Sequence, residues 1–188
     1  MGKKYIRIVA GQYRKTKIEV PDAPGLRPTP DRVRETLFNW LSYFWSNDFA
    51  QKQVLDLFAG SGALGLEAAS RGVAHVLMVE SNPVALNELR KLRDRLKADT
   101  VRVHAGDARS VLSRGAAARF DLILLDPPFG QAWFPDLIRE AAELLTDDGL
   151  IYAESETEIN APTGFVALRH GQAGGVHYHL FHRTAKQK

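Results

Sequence analysis

Val54-Leu55-Asp56-Leu57-Phe58-Ala59-Gly60-Ser61-Gly62-Ala63-Leu64-Gly65 opens as a short apolar run, passes through a glycine loop and enters a helix-forming stretch that continues to Arg71. A lone G-x-G-x-x-G loop is weak evidence, but strand, turn and helix in that order give it the context it needs. Gly60 and Gly62 allow a tight turn and close approach to a ligand, and Gly65 lets the following helix pack near the sheet. Phe58, Ser61 and Ala63 complete the ligand-facing set of the loop. Twenty positions after Gly60, Glu80 ends a second apolar run, Val76-Leu77-Met78-Val79, with Ser81 beside it. That spacing suits a carboxylate gripping ribose hydroxyls.

The same loop would serve NAD, so the ligand has to be argued from charge. Asp56 stands at the carboxyl end of the first strand, four residues before the first glycine, where it faces the crevice of an open α/β sheet. A carboxylate there repels a pyrophosphate and attracts an ammonium. S-adenosylmethionine carries an ammonium, a sulfonium and no phosphate, so the acidic strand end favours it over a dinucleotide. Gly106-Asp107-Ala108 follows a third strand, Val101-Arg102-Val103-His104, and the Asp107 carboxylate can accept the amino hydrogens of an adenine, with Ala108 next to it. A turn aspartate beside a glycine is the plainer alternative.

A fourth apolar run, Phe120-Asp121-Leu122-Ile123-Leu124-Leu125, empties into Asp126-Pro127-Pro128-Phe129. The two prolines stiffen this turn and remove its backbone donors, leaving a rim of acceptors beside an aromatic ring. Such a rim fits a planar ring with an exocyclic amino group. Asp126 and the Pro127 carbonyl would take the amino hydrogens and Phe129 would stack on the ring, which suits methylation of a nucleobase nitrogen.

With these motifs in order, the chain resembles a class I S-adenosylmethionine-dependent methyltransferase. Gly25-Leu26-Arg27-Pro28-Thr29-Pro30-Asp31-Arg32-Val33-Arg34-Glu35-Thr36-Leu37-Phe38-Asn39-Trp40 is similar, more narrowly, to the signature of the bacterial 16S rRNA (guanine(966)-N2) methyltransferases, and the likeness runs from about Ile6 to Arg183. The resemblance implies a Rossmann-like α/β fold with a seven-stranded, mostly parallel sheet, an antiparallel last strand, helices on both faces and an N-terminal β-hairpin. It also implies methyl transfer to the exocyclic N2 of a guanine in small-subunit rRNA, within a 30S subunit or an assembly intermediate. Adenine-N6 enzymes share the Asp-Pro-Pro-aromatic turn, and protein-glutamine enzymes usually carry Asn in place of Asp126. A catalytically silent RNA-binding assembly factor and a dehydrogenase are the readings from other classes. Lys15 departs from the family pattern, in which a glycine commonly follows the basic residue of the hairpin.

The rest of the chain bounds these readings. A chain of 188 residues, 45% hydrophobic, supports one sizeable core, divided here into an N-terminal extension over residues 1–28 and a catalytic domain over 29–188. No apolar stretch is long enough to span a bilayer and no signal-peptide core follows the N-terminus, so a cytoplasmic monomer is expected. Cysteine is absent, excluding disulfides and thiolate metal sites. Net charge is +3, yet residues 1–17 hold six basic residues and no acid, so the remainder is net acidic. Arg7, Arg14, Lys15 and Lys17, interleaved with Tyr5 and Tyr13, form a candidate grip on RNA phosphates and bases across a hairpin of residues 6–9 and 17–20.

Beyond a proline-rich connector, a helix is expected to begin near Thr29 or Pro30. Arg27, Arg32 and Arg34 cluster there, within reach of the cofactor carboxylate or of RNA, or pair structurally with Asp31 and Glu35; Arg27 and Thr29 are assigned to the cofactor and Arg34 to RNA. Further elements are a helix from about Pro83 to Lys97, an amphipathic helix around Trp133 to Leu145, a buried strand Leu150 to Ala153 and late strands Phe165 to Leu168 and Val176 to Phe181, turned at Gly171 to Gly175. Of His177, His179 and His182, alternation places only two on one face and no carboxylate or cysteine completes a set, so no metal is expected.

Overall fold

Alternation along the central strands divides their apolar side chains between two faces, so helices must cover both. The computed structural model, which describes residues 4–20, 29–115 and 119–184, builds this arrangement. The hairpin strands are β1 (Lys4–Arg7) and β2 (Lys17–Val20), followed by α1 (Asp31–Phe44), β3 (Gln53–Asp56), α2 (Ala63–Ser70), β4 (His75–Glu80), α3 (Pro83–Leu96), β5 (Val101–Ala105) and α4 (Ala108–Arg114). Then come β6 (Phe120–Leu125), α5 (Asp136–Ala141), β7 (Leu145–Ser155), β8 (Phe165–Ala173) and β9 (Val176–Arg183). The large sheet has the order β5-β4-β3-β6-β7-β9-β8, parallel from β5 to β7, with β9 antiparallel to both of its neighbours.

Val54, Val76, Met78, Leu122, Leu124, Leu150 and Tyr152 point into one core with Leu37, Phe38 and Leu41 of α1 and Leu64 and Leu66 of α2. Leu55, Ile123, Leu125, Ile151 and Ala153 point into the other, against Leu137, Ile138 and Ala141 of α5. Each large aliphatic side chain removed from water in this way contributes about 1.5–3 kcal/mol. The chain winds outward from β3 toward β5, then returns to place β6 on the other side of β3. Such a reversal opens a crevice beyond the carboxyl ends of the strands.

Several boundaries move for local reasons. Helix α1 starts at Asp31 after Pro30 with no side-chain cap, because the Thr29 hydroxyl is turned to other partners described below. The helix expected over Trp133 to Leu145 is confined to Asp136–Ala141 plus one 3-10 turn at Ala142–Leu144, since Leu145 already begins β7. Strands β8 and β9 are longer than their apolar cores suggest and leave only Gly174 and Gly175 to turn between them. His170 of β8 stacks on His179 at 4.4 Å, so three imidazoles, of His170, His177 and His179, share one face across the strand pair. Burial, and then the charges of His170 and His177, pull His179 down to about 4.

The basic hairpin is docked rather than frayed. Ile8 and Ile18 are fully buried in the first core, and Gly11, at φ +79°, lies so close to α2 that a Cβ would sit 1.8 Å from the Ser70 carbonyl oxygen. Lys15 holds φ +70°, a left-handed conformation that costs a side-chain-bearing residue about 1–2 kcal/mol. Glu67 of α2 accepts from the backbone N–H groups of Val9 (2.7 Å) and Ala10 (3.0 Å).

Arg34 corrects the sequence reading. It is fully buried and therefore unavailable to RNA phosphate: its guanidinium donates to Asp31 (2.6 Å), to the Arg7 carbonyl (2.8 Å), to the Thr29 carbonyl (3.3 Å) and to Glu67 (3.5 Å). The structural pairing with Asp31 is realised, and Glu67, distant in sequence, completes it. Arg7, Arg14, Lys15 and Lys17 remain exposed, with Arg7 paired to Asp31 at 2.8 Å and Lys17 over the Tyr5 ring. Among the described residues no helix is long and apolar enough to cross a membrane.

Candidate active site

Beyond the carboxyl ends of β3, β4, β5 and β6 lies a cleft of about 540 Å³. Asp56, Phe58, Gly60, Ser61, Ala63, Glu80, Ser81, Asp107, Ala108, Thr29 and the whole turn Asp126-Pro127-Pro128-Phe129 line it. Gly62 does not. It is the N-cap of α2 at φ +84°, and a Cβ on it would meet Leu89 at 2.6 Å, so it seats the loop on α3. Arg27 falls outside the described residues.

The carboxylates differ in what they already hold. Asp56 is 1% exposed; its Oδ2 accepts from Gly65 N–H at 3.1 Å, while Oδ1 has no well-formed hydrogen bond among the described residues, with the Phe58 N–H nearby. Burial pushes its carboxyl up to about 7, opposed by the nearby N–H groups of Phe58 and Gly65 and reinforced by the negative charges of Glu80 and Glu154. A buried acceptor atom without a donor costs free energy that a ligand donor would recover. Glu80 accepts from Gly60 N–H and Asn82 N–H, both at 2.7 Å, and so ties the glycine loop to the start of α3. Asp107 caps α4, taking Ser110 N–H at 2.9 Å and the Ser110 hydroxyl at 2.6 Å, and those Ser110 bonds hold its carboxyl below the usual range. Asp107 is thus a helix cap at the rim of the cleft, a role beyond that of a turn aspartate beside a glycine.

The acceptor turn is held from several sides. Gly130 N–H donates to Glu156 at 2.9 Å, and the Thr29 hydroxyl lies 3.5 Å from the Asp126 carboxylate. Trp133 meets Phe58 edge-on at 5.3 Å and lies under the Arg109 guanidinium, while its indole N–H is buried without a partner.

Sequence reasoning missed Asn82, Arg109, Trp133 and Glu154, all of which line the cleft. For Glu154 a signal was present, since it follows the apolar run Leu150 to Ala153 as Asp56, Glu80 and Asp126 follow theirs. It is 3% exposed and accepts from the hydroxyls of Thr29 and Tyr152, each at 2.9 Å.

Comparison with known proteins finds relatives named as methyltransferases. A family model described as Conserved hypothetical protein 95 matches residues 6–182. "Ribosomal RNA small subunit methyltransferase D" of Escherichia coli K12 is 43% identical over 98% of this chain and 93% of its own length. The solved structure of yhhF, a candidate methyltransferase from Escherichia coli, is 41% identical and superposes with a TM-score of 0.85 over 97% of this chain and all of its own. At 18% identity, SMU.776, a candidate methyltransferase complexed with SAH, shares the fold alone, with a TM-score of 0.69 over 96% of this chain and 56% of that one.

Proposed function

We propose, from the premise that this chain belongs to the family of the ribosomal RNA small subunit methyltransferase D proteins, that it transfers a methyl group from S-adenosylmethionine to the exocyclic N2 of a guanine in 16S rRNA, within the 30S subunit or a precursor of it. One observation carries the reading: the buried Asp56 carboxylate and the acceptor-rich turn at Asp126 line a single cleft. The chemistry of the lining fits the donor, since Asp56 offers an ammonium group a buried acceptor and Glu80 offers acceptors to ribose hydroxyls. Bound there, S-adenosylmethionine supplies an electrophilic methyl group. The protein supplies placement, and no covalent enzyme intermediate is required.

Asp126 and the Pro127 carbonyl accept the two hydrogens of N2, drawing its lone pair out of conjugation with the ring. As the bond from nitrogen to the methyl carbon forms, the bond from that carbon to sulfur breaks, and the proton that N2 sheds passes to the Asp126 carboxylate or to water. Phe129 covers the base. A paired guanine cannot present N2 to the turn, so the base is reached unpaired or flipped out. Arg7, Arg14, Lys15 and Lys17 of the docked hairpin contact rRNA phosphates, and Thr29 steadies Asp126 at the cleft wall. The enzyme works as a cytoplasmic monomer. Mass analysis of nucleosides from small-subunit rRNA, in cells with and without this gene, tests the proposal: loss of one N2-methylguanosine supports it, and loss of N6-methyladenosine or of nothing refutes it.

Ionisation of Asp56 gives a pH signature. With its carboxyl near 7 in the free protein, binding of a cation at pH 6 must first expel a proton, while at pH 8 the carboxylate is already formed. Affinity for S-adenosylmethionine therefore rises by up to about tenfold per pH unit between pH 5.5 and 7, and falls again above about pH 8, where the ligand's own α-amino group loses its proton. Calorimetry in buffers of different ionisation enthalpy should register about one proton released at pH 6, and Asp56→Asn should abolish the release.

A further inference from the structure

We infer that Glu154 selects guanine over other purines at the acceptor site, and that Tyr152 positions it for that task; the inference rests on the function proposed above. A second cavity of about 430 Å³ adjoins the first, within the size range of roughly 300–1,000 Å³ that holds small ligands. The two cavities share Pro127, Pro128, Phe129, Trp133 and Glu154 as a common wall. An acceptor base lodged where the two cavities join meets Glu154 and, from the first cavity, Asp126. The glutamate stands at the end of β7, next to the β6 end that carries Asp126, and the single hydroxyl of Thr29 reaches both carboxylates, at 2.9 and 3.5 Å.

Burying a glutamate to 3% exposure is costly unless donors compensate it. The hydroxyls of Thr29 and Tyr152 are among the groups that do so, and that of Tyr152 comes from a side chain with no exposure of its own. Burial first, and then the charge of Glu154, raise the Tyr152 phenol well above its ordinary value, which keeps it a donor. The hydroxyls of Thr29 and Tyr152 both donate to Oε1 and so fix the direction in which the carboxylate faces.

The chemistry of the base then decides what this carboxylate recognises. Guanine presents N1–H and the N2 amino group side by side, a row of donors that matches carboxylates at Glu154 and Asp126. Adenine and 2-aminopurine carry a lone pair at N1, which a carboxylate repels. A site built to accept a hydrogen bond discriminates strongly against an analogue that lacks the donor, because the buried acceptor is left unpaired.

The experiment compares 30S subunits assembled with rRNA that carries guanosine or 2-aminopurine at the methylated position, the second retaining the reacting amino group but not N1–H. Wild-type enzyme should prefer guanine in kcat/KM by at least about a hundredfold. Glu154→Gln, whose amide can donate to N1 as well as accept from it, should narrow that ratio by at least about tenfold, mainly through loss on guanine. Tyr152→Phe, which keeps the packing and removes one donor, should narrow it in the same direction by a smaller factor, and it decides the matter if Glu154→Gln does not fold. If the variants slow both substrates equally and leave the ratio unchanged, Glu154 is structural only and the inference falls. If wild-type enzyme methylates neither substrate, the proposed function itself fails, a result distinct from an unchanged ratio.

Discussion

Asp126→Asn lowers methyl transfer by at least about a hundredfold, and S-adenosylmethionine binding stays within about threefold of wild type. The asymmetry follows from where the residue sits. Asp126 begins the turn that separates the two cavities, while the buried acceptor suited to the donor's ammonium is Asp56, at the end of a different strand. An amide in place of the carboxylate keeps one accepting oxygen but loses the negative charge that draws on the N2 hydrogens and can take a proton from them, and it leaves the glycine loop untouched. Single-turnover rates with saturating cofactor, set beside calorimetric affinity, separate the two effects. Turnover within about threefold of wild type would remove Asp126 from the chemistry.

Glu67→Ala lowers the free energy of unfolding by about 3–5 kcal/mol. Glu67 is fully buried on α2 and collects the N–H groups of Val9 and Ala10, the Arg71 side chain at 3.0 Å and the buried Arg34 guanidinium. Removing it strands two backbone donors and part of a buried cation at the joint between the hairpin and the catalytic domain. Urea denaturation followed by circular dichroism measures the loss, and a change below about 1 kcal/mol would mean that water readily replaces the carboxylate. Under conditions where the variant stays folded, its affinity for rRNA should fall more than its affinity for S-adenosylmethionine, because the hairpin is the part released.

Much of the cleft was legible because it is written locally. Apolar runs each ending in an acid, a glycine loop between strand and helix, and a proline turn are short-range patterns, and the parallel sheet brings their ends together by topology alone. What stayed hidden depends on partners far away in sequence. Arg34 looks like a surface cation in its helix turn, and only the packing of α1 on α2 brings Glu67 to it. Thr29 has the composition of a helix cap, yet its hydroxyl goes to Glu154, 125 positions later. Gly62 belongs to the loop motif but faces Leu89, because the loop must rest on α3 as well as hold a ligand. The short α5 reflects a competition that periodicity cannot settle, since β7 claims Leu145 for pairing with Phe120.

A crystal structure with S-adenosylhomocysteine bound is the most direct measurement of the central claim. The account predicts its amino group within hydrogen-bonding distance of Asp56 Oδ1, its ribose at Glu80, and its sulfur directed at the wall formed by Asp126, Pro127 and Phe129. Density for the ligand outside this cleft, or with its sulfur turned away from that wall, would contradict it.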